Sequence, residues 1–297
     1  MNAPKLDSGA ALGFFWDVFK ARPTTFIGLG VWTALVFAAV GVAQVYVSAD
    51  EMIALEAADP EDVSAVFSSM GAYLGAIAPV MLVSFAVTVL IESAWLRLFM
   101  RGEGNPVLPF RFGAEEGNYL LTFLLLALVT FVVYLVGLIV MLVFTFVFAL
   151  GGAALGSVGL FLGSMVALAI VIFALVRLSP ALAFAISRKR VSLGLAWRGT
   201  KVMFWPLLGC YVLAFLISMV IFTVTMIVFL FLPFDMSGLD ASRQPVGWEA
   251  LIVPFLLLNA ANLIPQALFR GIACKAALTI EEANGVPPAA SQTVGPV

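Results

Sequence analysis

The stretch that decides the fold runs from Gly117 to Val176: GNYLLTFLLLALVTFVVYLVGLIVMLVFTFVFALGGAALGSVGLFLGSMVALAIVIFALV, 60 residues without one charged side chain. A helix that crosses a bilayer needs about 20 mostly apolar residues, because lipid offers its backbone no partner and it must satisfy its own N–H and C=O groups. This run is too long for one crossing and long enough for two. The adjacent Gly151 and Gly152 relax the helix and mark the turn, which predicts spans over 119–150 and 153–176.

The same rule applied outward predicts further spans over 26–47, 70–96, 203–232 and 250–269, with Pro79 interrupting the second and Glu92 near its end. Across all 297 residues, 63% are apolar and 11% charged, and the mean hydropathy is +1.12, well above that of globular domains. The predicted fold class is therefore all-α: a polytopic membrane protein whose six transmembrane helices form three hairpins, with short interfacial amphipathic helices. Residues 1–280 are expected to form one membrane domain and 281–297, with Pro287-Pro288 and small polar residues, a disordered cytoplasmic tail. Residues 1–11 are polar and small, so no cleavable signal is expected ahead of the first span.

Orientation follows from Lys and Arg, which are retained on the cytoplasmic side. The segment 48–69 holds Asp50, Glu51, Glu56, Asp59, Glu61 and Asp62 with no basic residue, and the loop before span six has only Arg243 among Asp235, Asp240 and Glu249. Six spans with both termini cytoplasmic place 14 of the 15 Lys and Arg inside. Trp16, Trp95, Trp197, Trp205 and Trp248 then fall at predicted interfaces, where amphipathic rings prefer to sit.

Short segments with helical apolar spacing precede the odd spans: Leu12, Phe15, Trp16 and Phe19 before the first, Leu193, Leu195, Ala196 and Trp197 before the fifth, and, more weakly, Phe110 and Phe112 before the third. Each even span ends in an arginine, Arg97, Arg177 or Arg270. Two readings fit: a threefold repeat of interfacial helix plus hairpin, or the aromatic and basic residues that any inner-membrane hairpin shows at those depths.

The run Val176-Arg177-Leu178-Ser179-Pro180-Ala181-Leu182-Ala183-Phe184, then Leu195-Ala196-Trp197-Arg198-Gly199-Thr200-Lys201 and Phe204-Trp205-Pro206, resembles the bacterial family named for the membrane domain of glycerophosphoryl diester phosphodiesterase. The family pattern is an Arg-Leu-Ser run, then Ser-Trp-Arg-Leu-Thr-Lys-Gly and a Phe-Trp pair. Here Ala196, Gly199 and Val202 replace the serine, leucine and final glycine. The resemblance covers residues 176–209 and, more loosely, the six-span layout. It implies a multi-pass module of the bacterial cytoplasmic membrane, of uncharacterised activity. The phosphodiesterase of that family is a separate soluble domain, and no extramembrane stretch here approaches domain size.

Glu92 is the carboxylate placed within a span, five residues before Arg97 and so about 7 Å deeper. Ser84, Thr88 and Glu92 recur every four residues on one face of span two; Asn259, Asn262 and Gln266 share one face of span six at matching depth. The stripes are either a polar cluster walling a cavity, or amides gluing helices while Glu92 reaches an interfacial arginine. Gly152, Gly156, Gly159 and Gly163, with Gly71 and Gly75, read as small packing faces. Prolines 79, 254 and 265 read as kinks or as freed carbonyls. The basic set Arg188-Lys189-Arg190, Arg198 and Lys201 around Trp197 reads either as a topological retention signal or as a site for anionic headgroups or an acidic partner segment.

The absence of histidine, with a single carboxylate placed inside a span, argues against catalysis. The near-balanced charge of −2 argues against nucleic acid as a partner. No cofactor or metal is expected, and Cys210 and Cys274 have no metal spacing and are not expected to form a disulfide. The expected partners are membrane lipids and, as a second class, another membrane protein. The reading is a non-catalytic structural, regulatory or partner- or lipid-binding module; the alternative is a transporter or channel for a small molecule or lipid using the stripes on spans two and six.

Overall fold

The computed structural model describes residues 5–59, 61–231 and 248–285, leaving aside the side chains of 230 and 248–250. The described residues are helical without a strand: α1 (Ser8–Ala21), α2 (Pro23–Glu56), α3 (Val63–Arg101), α4 (Ala114–Ala149), α5 (Ala153–Leu178), α6 (Ala181–Ser187), α7 (Leu193–Gly199), α8 (Phe204–Phe231) and α9 (Trp248–Ala283). Six of these, counting α5 with α6, are long and apolar enough to cross a membrane. The chain is an all-α polytopic membrane protein.

Several helices run well past the apolar counts. At 1.5 Å per residue the 39 residues of α3 reach about 58 Å, against a hydrocarbon core of about 30 Å. The acidic segment 48–69 is therefore mostly helix; α2 continues to Glu56 and α3 begins at Val63, because Ala, Glu, Met and Leu beyond the apolar run keep the helical ladder going. Asp62 caps α3, its side chain accepting from Ser64 N at 3.0 Å and Ala65 N at 3.1 Å. Those bonds, Ala65 first, hold its carboxyl below the usual range. Span six departs furthest from expectation. The helix does not stop near 269 but continues to Ala283, so residues 281–283 of the expected disordered tail are helical, and Glu281 is buried. The reason is packing: Ile272, Cys274, Ala276, Ala277 and Ile280 form an apolar face that closes against the rest of the core. Residues 286–297 of that tail, and Arg243, Asp235 and Asp240, lie outside the described residues, as does the side chain of Trp248.

The core gathers at one end of the bundle, where α1, α6 and α7 meet the last turns of α3, α5 and α9 and the first turns of α2, α4 and α8. Both ends of the described chain lie there. The segments before spans one and five are helices, as expected, but the one before span three is not. Residues 102–113 are a non-helical strap over α2: Trp32 Nε1 donates to Val107 O at 2.9 Å, and Phe110 stands edge-on to Trp32. Gly28 admits this strap, since a Cβ there would stand 2.6 Å from Pro106 O. Trp95 also departs from its expected interface position: it is fully buried, donating to Thr33 Oγ1 at 3.0 Å.

Toward the other end the packing thins. Between residues 127 and 170 the buried residues are Gly137, Gly156, Gly159 and Gly163, each against the opposite helix of the α4–α5 hairpin. Gly152, at φ +112°, makes the turn that only glycine adopts freely. Gly71 and Gly75 differ from their expected role, having nothing within 4 Å of an added Cβ.

Two outcomes test this account. A Cβ at Gly163 would meet Met141 Cα at 2.8 Å, so Gly163→Leu forces the hairpin open and should lower the melting temperature in detergent, costing about 1–3 kcal/mol; Gly75→Leu should leave it unchanged. Because the Asp62 carboxyl is held low, its capping is present above the ordinary carboxylate range of about 4 and is lost as pH falls through the lower folded value. Amide exchange at Ser64 and Ala65, normalised to the intrinsic rate at each pH, should therefore lose protection at acid pH, and Asp62→Ala should abolish that dependence.

Candidate functional site

At the packed end each arginine that closes an even span finds a partner in a different unit. Arg97 pairs through Nη1 with Glu116 at the start of α4 and donates through Nη2 to Pro109 O at 3.2 Å. Both side chains of the pair are buried. Four residues on, Arg101 donates to Glu115 at 3.0 Å and to the carbonyl of Ile186 on α6. Lys189 reaches the same Glu115 at 3.1 Å, and Asn118 donates to Lys189 O at 2.8 Å. Arg188 and Ser187 both bond Glu281, at 3.2 and 2.8 Å, which ties the end of α6 to the extension of α9.

Arg270 holds Glu92 with two nitrogens, Nε to Oε2 at 2.8 Å and Nη2 to Oε1, and takes Gln266 Oε1 at 2.8 Å. Its guanidinium lies 5.3 Å from the Trp95 ring centroid. Glu92 therefore points into the bundle and contacts span six, and Gln266 joins it. The other four stripe residues do not. Thr88 donates to Ser84 O at 2.8 Å, Asn259 to Phe255 O at 2.7 Å and Asn262 to Leu258 O at 3.0 Å, each within its own helix. A side chain that bonds its own i−4 carbonyl has less to offer across a gap. The two stripes thus build one ion-pair cluster at Glu92, Gln266 and Arg270 and no polar wall above it.

Arg177 is different. It is buried, yet no carboxylate pairs with it among the described residues. Nε donates to Thr200 Oγ1 at 3.1 Å and Nη2 to Trp197 O, while the guanidinium lies 4.4 Å from the Trp197 ring and 5.5 Å from that of Phe173. Thr200, wholly enclosed, passes its own proton to Ala196 O at 2.7 Å. Ser179 donates to Val176 O at 3.0 Å, where α5 turns into α6. Phe204 packs on Phe173 at 5.0 Å, with Trp205 beside it at 5.2 Å. So Arg177, Trp197, Thr200 and Phe204 come together, Ser179 shapes the turn that follows Arg177, and Arg198, Lys201 and Trp205 stay exposed at its margin.

The sequence did not announce Glu115, Glu116 and Glu281 as partners. The signal that was there is the spacing: Arg97 and Arg101 share a helix face, and an adjacent acid pair opens the next span after Gly113. Glu281 fell in a segment whose composition resembles a tail. A cleft of 630 Å³ between α2 and α3 is walled by Leu35, Val36, Ala39, Val80 and Val83 beside Pro79. Cys210 and Cys274 are free thiols.

The fold and the cluster define a multi-pass membrane protein whose helices are clamped by ion pairs at one end. No protein-family model matches the chain, and neither does any curated protein or solved structure.

The clamp has a measurable consequence. Glu92→Ala leaves Arg270 buried without its carboxylate and should destabilise the purified protein by about 3 kcal/mol. Removing both charges, as Glu92→Ala with Arg270→Met, should recover most of that loss. Thermal melting in detergent reads both, and a wild-type midpoint in the single variant would show that the pair does not hold the fold.

Proposed function

We propose that this chain is a non-catalytic module of the bacterial cytoplasmic membrane, with both ends cytoplasmic, that serves a structural or regulatory role by binding lipid or a membrane partner. One observation carries the reading: Arg97, Arg101 and Arg270 are engaged in inter-helix ion pairs at the packed end, whereas the cleft between α2 and α3 is lined by apolar residues. A transporter for a polar solute needs unspent polar groups at mid-depth to replace hydration, and Thr88, Asn259 and Asn262 each donate to a carbonyl of their own helix. The resemblance of residues 176–209 to the phosphodiesterase membrane-domain family agrees with a membrane module that carries no chemistry of its own. The cytoplasmic assignment rests on the basic residues gathered at the packed end.

Two measurements test it. Proteoliposomes holding the full chain should show no saturable flux of small anions, cations or glycerol over empty vesicles. Flux abolished by Glu92→Gln would establish transport instead. An enzymatic reporter fused after Val297 should be active only inside the cell, and one inserted at Asp59 only outside.

A further inference from the structure

We propose that the segment running from Arg177 to Trp205 holds the phosphate of an anionic phospholipid, in the leaflet that meets the packed end. This deepens the lipid-binding reading and rests on it. Among the described residues Arg177 is the buried arginine that has no carboxylate; Arg97, Arg101 and Arg270 each have one. Its acceptors, Thr200 Oγ1 and Trp197 O, are neutral, and the rings of Trp197 and Phe173 contribute a quadrupole but no charge. Nη1 has no protein acceptor among the described residues, and it is not among their sealed, unpartnered nitrogens, which belong to Arg188 and Arg270. A guanidinium is therefore fixed in place with a donor still open to an incoming oxygen.

The surrounding residues set the sign and depth of what fits. Arg198 follows directly on Trp197 and Lys201 directly on Thr200, the two residues that hold Arg177; both cations are exposed, and neither has an acidic partner among the described residues. The stretch thus carries three positive charges that no acidic side chain compensates among the described residues. Trp197, Val202 and Trp205 are exposed at 40%, 61% and 76% beside them, an apolar and aromatic rim that places the charges at a lipid boundary. A free phosphate would find the cations but has no use for the rim. A phospholipid matches both, its phosphate taking the arginine and lysine donors and its chains lying against tryptophan and valine.

The test uses the full chain, purified in detergent and offered equal amounts of phosphatidylglycerol and phosphatidylcholine with the same acyl chains. Bound lipids are counted by native mass spectrometry at low ionic strength. Phosphatidylglycerol should be retained preferentially. The exposed pair Arg198→Ala with Lys201→Ala, which touches no buried contact, should cut that preference about thirtyfold, at about tenfold per 1.4 kcal/mol and one such residue per kcal/mol. Lys5→Ala with Lys20→Ala, exposed cations on the same end, should leave the preference within about twofold of wild type. Equal retention of the two lipids, an unchanged preference in the Arg198/Lys201 variant, or an equal loss in the Lys5/Lys20 variant would each overturn the site. Displacement of phosphatidylglycerol by millimolar inorganic phosphate, with phosphate held in its place, would assign it to a soluble anion. The flux measurement is independent of all four outcomes, so failure here leaves the non-transport reading standing on its own test.

Discussion

A buried guanidinium must have acceptors, and in a helix bundle surrounded by hydrocarbon only the protein and the headgroups can provide them. Arg97, Arg101, Arg177 and Arg270 all lie buried at one end of this bundle, and the structure of that end is the answer to their demand. Glu116 and Glu115 draw the start of α4 against α3; Glu92 draws α9 against α3; the carbonyls of Pro109 and Ile186 tie a strap and a short helix to the same arginines. Such pairs add little to stability relative to apolar residues of the same shape, but each is costly to break by halves, so they specify which helix ends meet.

The same constraint explains the unevenness of the molecule. Helix surfaces in lipid gain nothing from hydrophobic burial, because acyl chains are as apolar as leucine. Away from the ion pairs the helices are held by close approach alone, and that is seen where glycines permit it, at Gly137, Gly156, Gly159 and Gly163 in the α4–α5 hairpin and at Gly41 where α2 meets Phe255 of α9. Beyond Ala214 no described side chain of α8 is buried. A bundle clamped at one end, with long apolar helix faces beyond it, offers its surroundings large lipid-facing surfaces.

Arg177 completes the pattern by its exception. Its place in the second hairpin matches that of Arg97 in the first and Arg270 in the third, but its position faces Trp197 and Thr200 where the others face glutamate. Trp197, Thr200 and Phe173 surround it. A motif built around an uncompensated cation at headgroup depth is understandable if the missing anion belongs to the membrane.

The number, order and identity of the spans were legible in the sequence, because apolar run length is a local property and a spanning helix satisfies its own backbone. The interfacial helices before spans one and five were legible for the same reason, through their apolar spacing. That Glu92 turns inward could be argued from the cost of a carboxylate facing lipid. Which arginine it would meet could not, since Arg97 on its own helix and Arg177 and Arg270, distant in sequence, were all candidates until α3 and α9 were placed side by side. Tertiary packing also decided that α9 runs on through Arg270, that Trp95 is buried, that residues 102–113 form a strap, and that Asn259 and Asn262 turn back to their own helix. In each case the outcome depends on which partner a polar group finds within about 3 Å, and that distance is set by the assembled bundle, whereas the length of an apolar run is set by the chain alone.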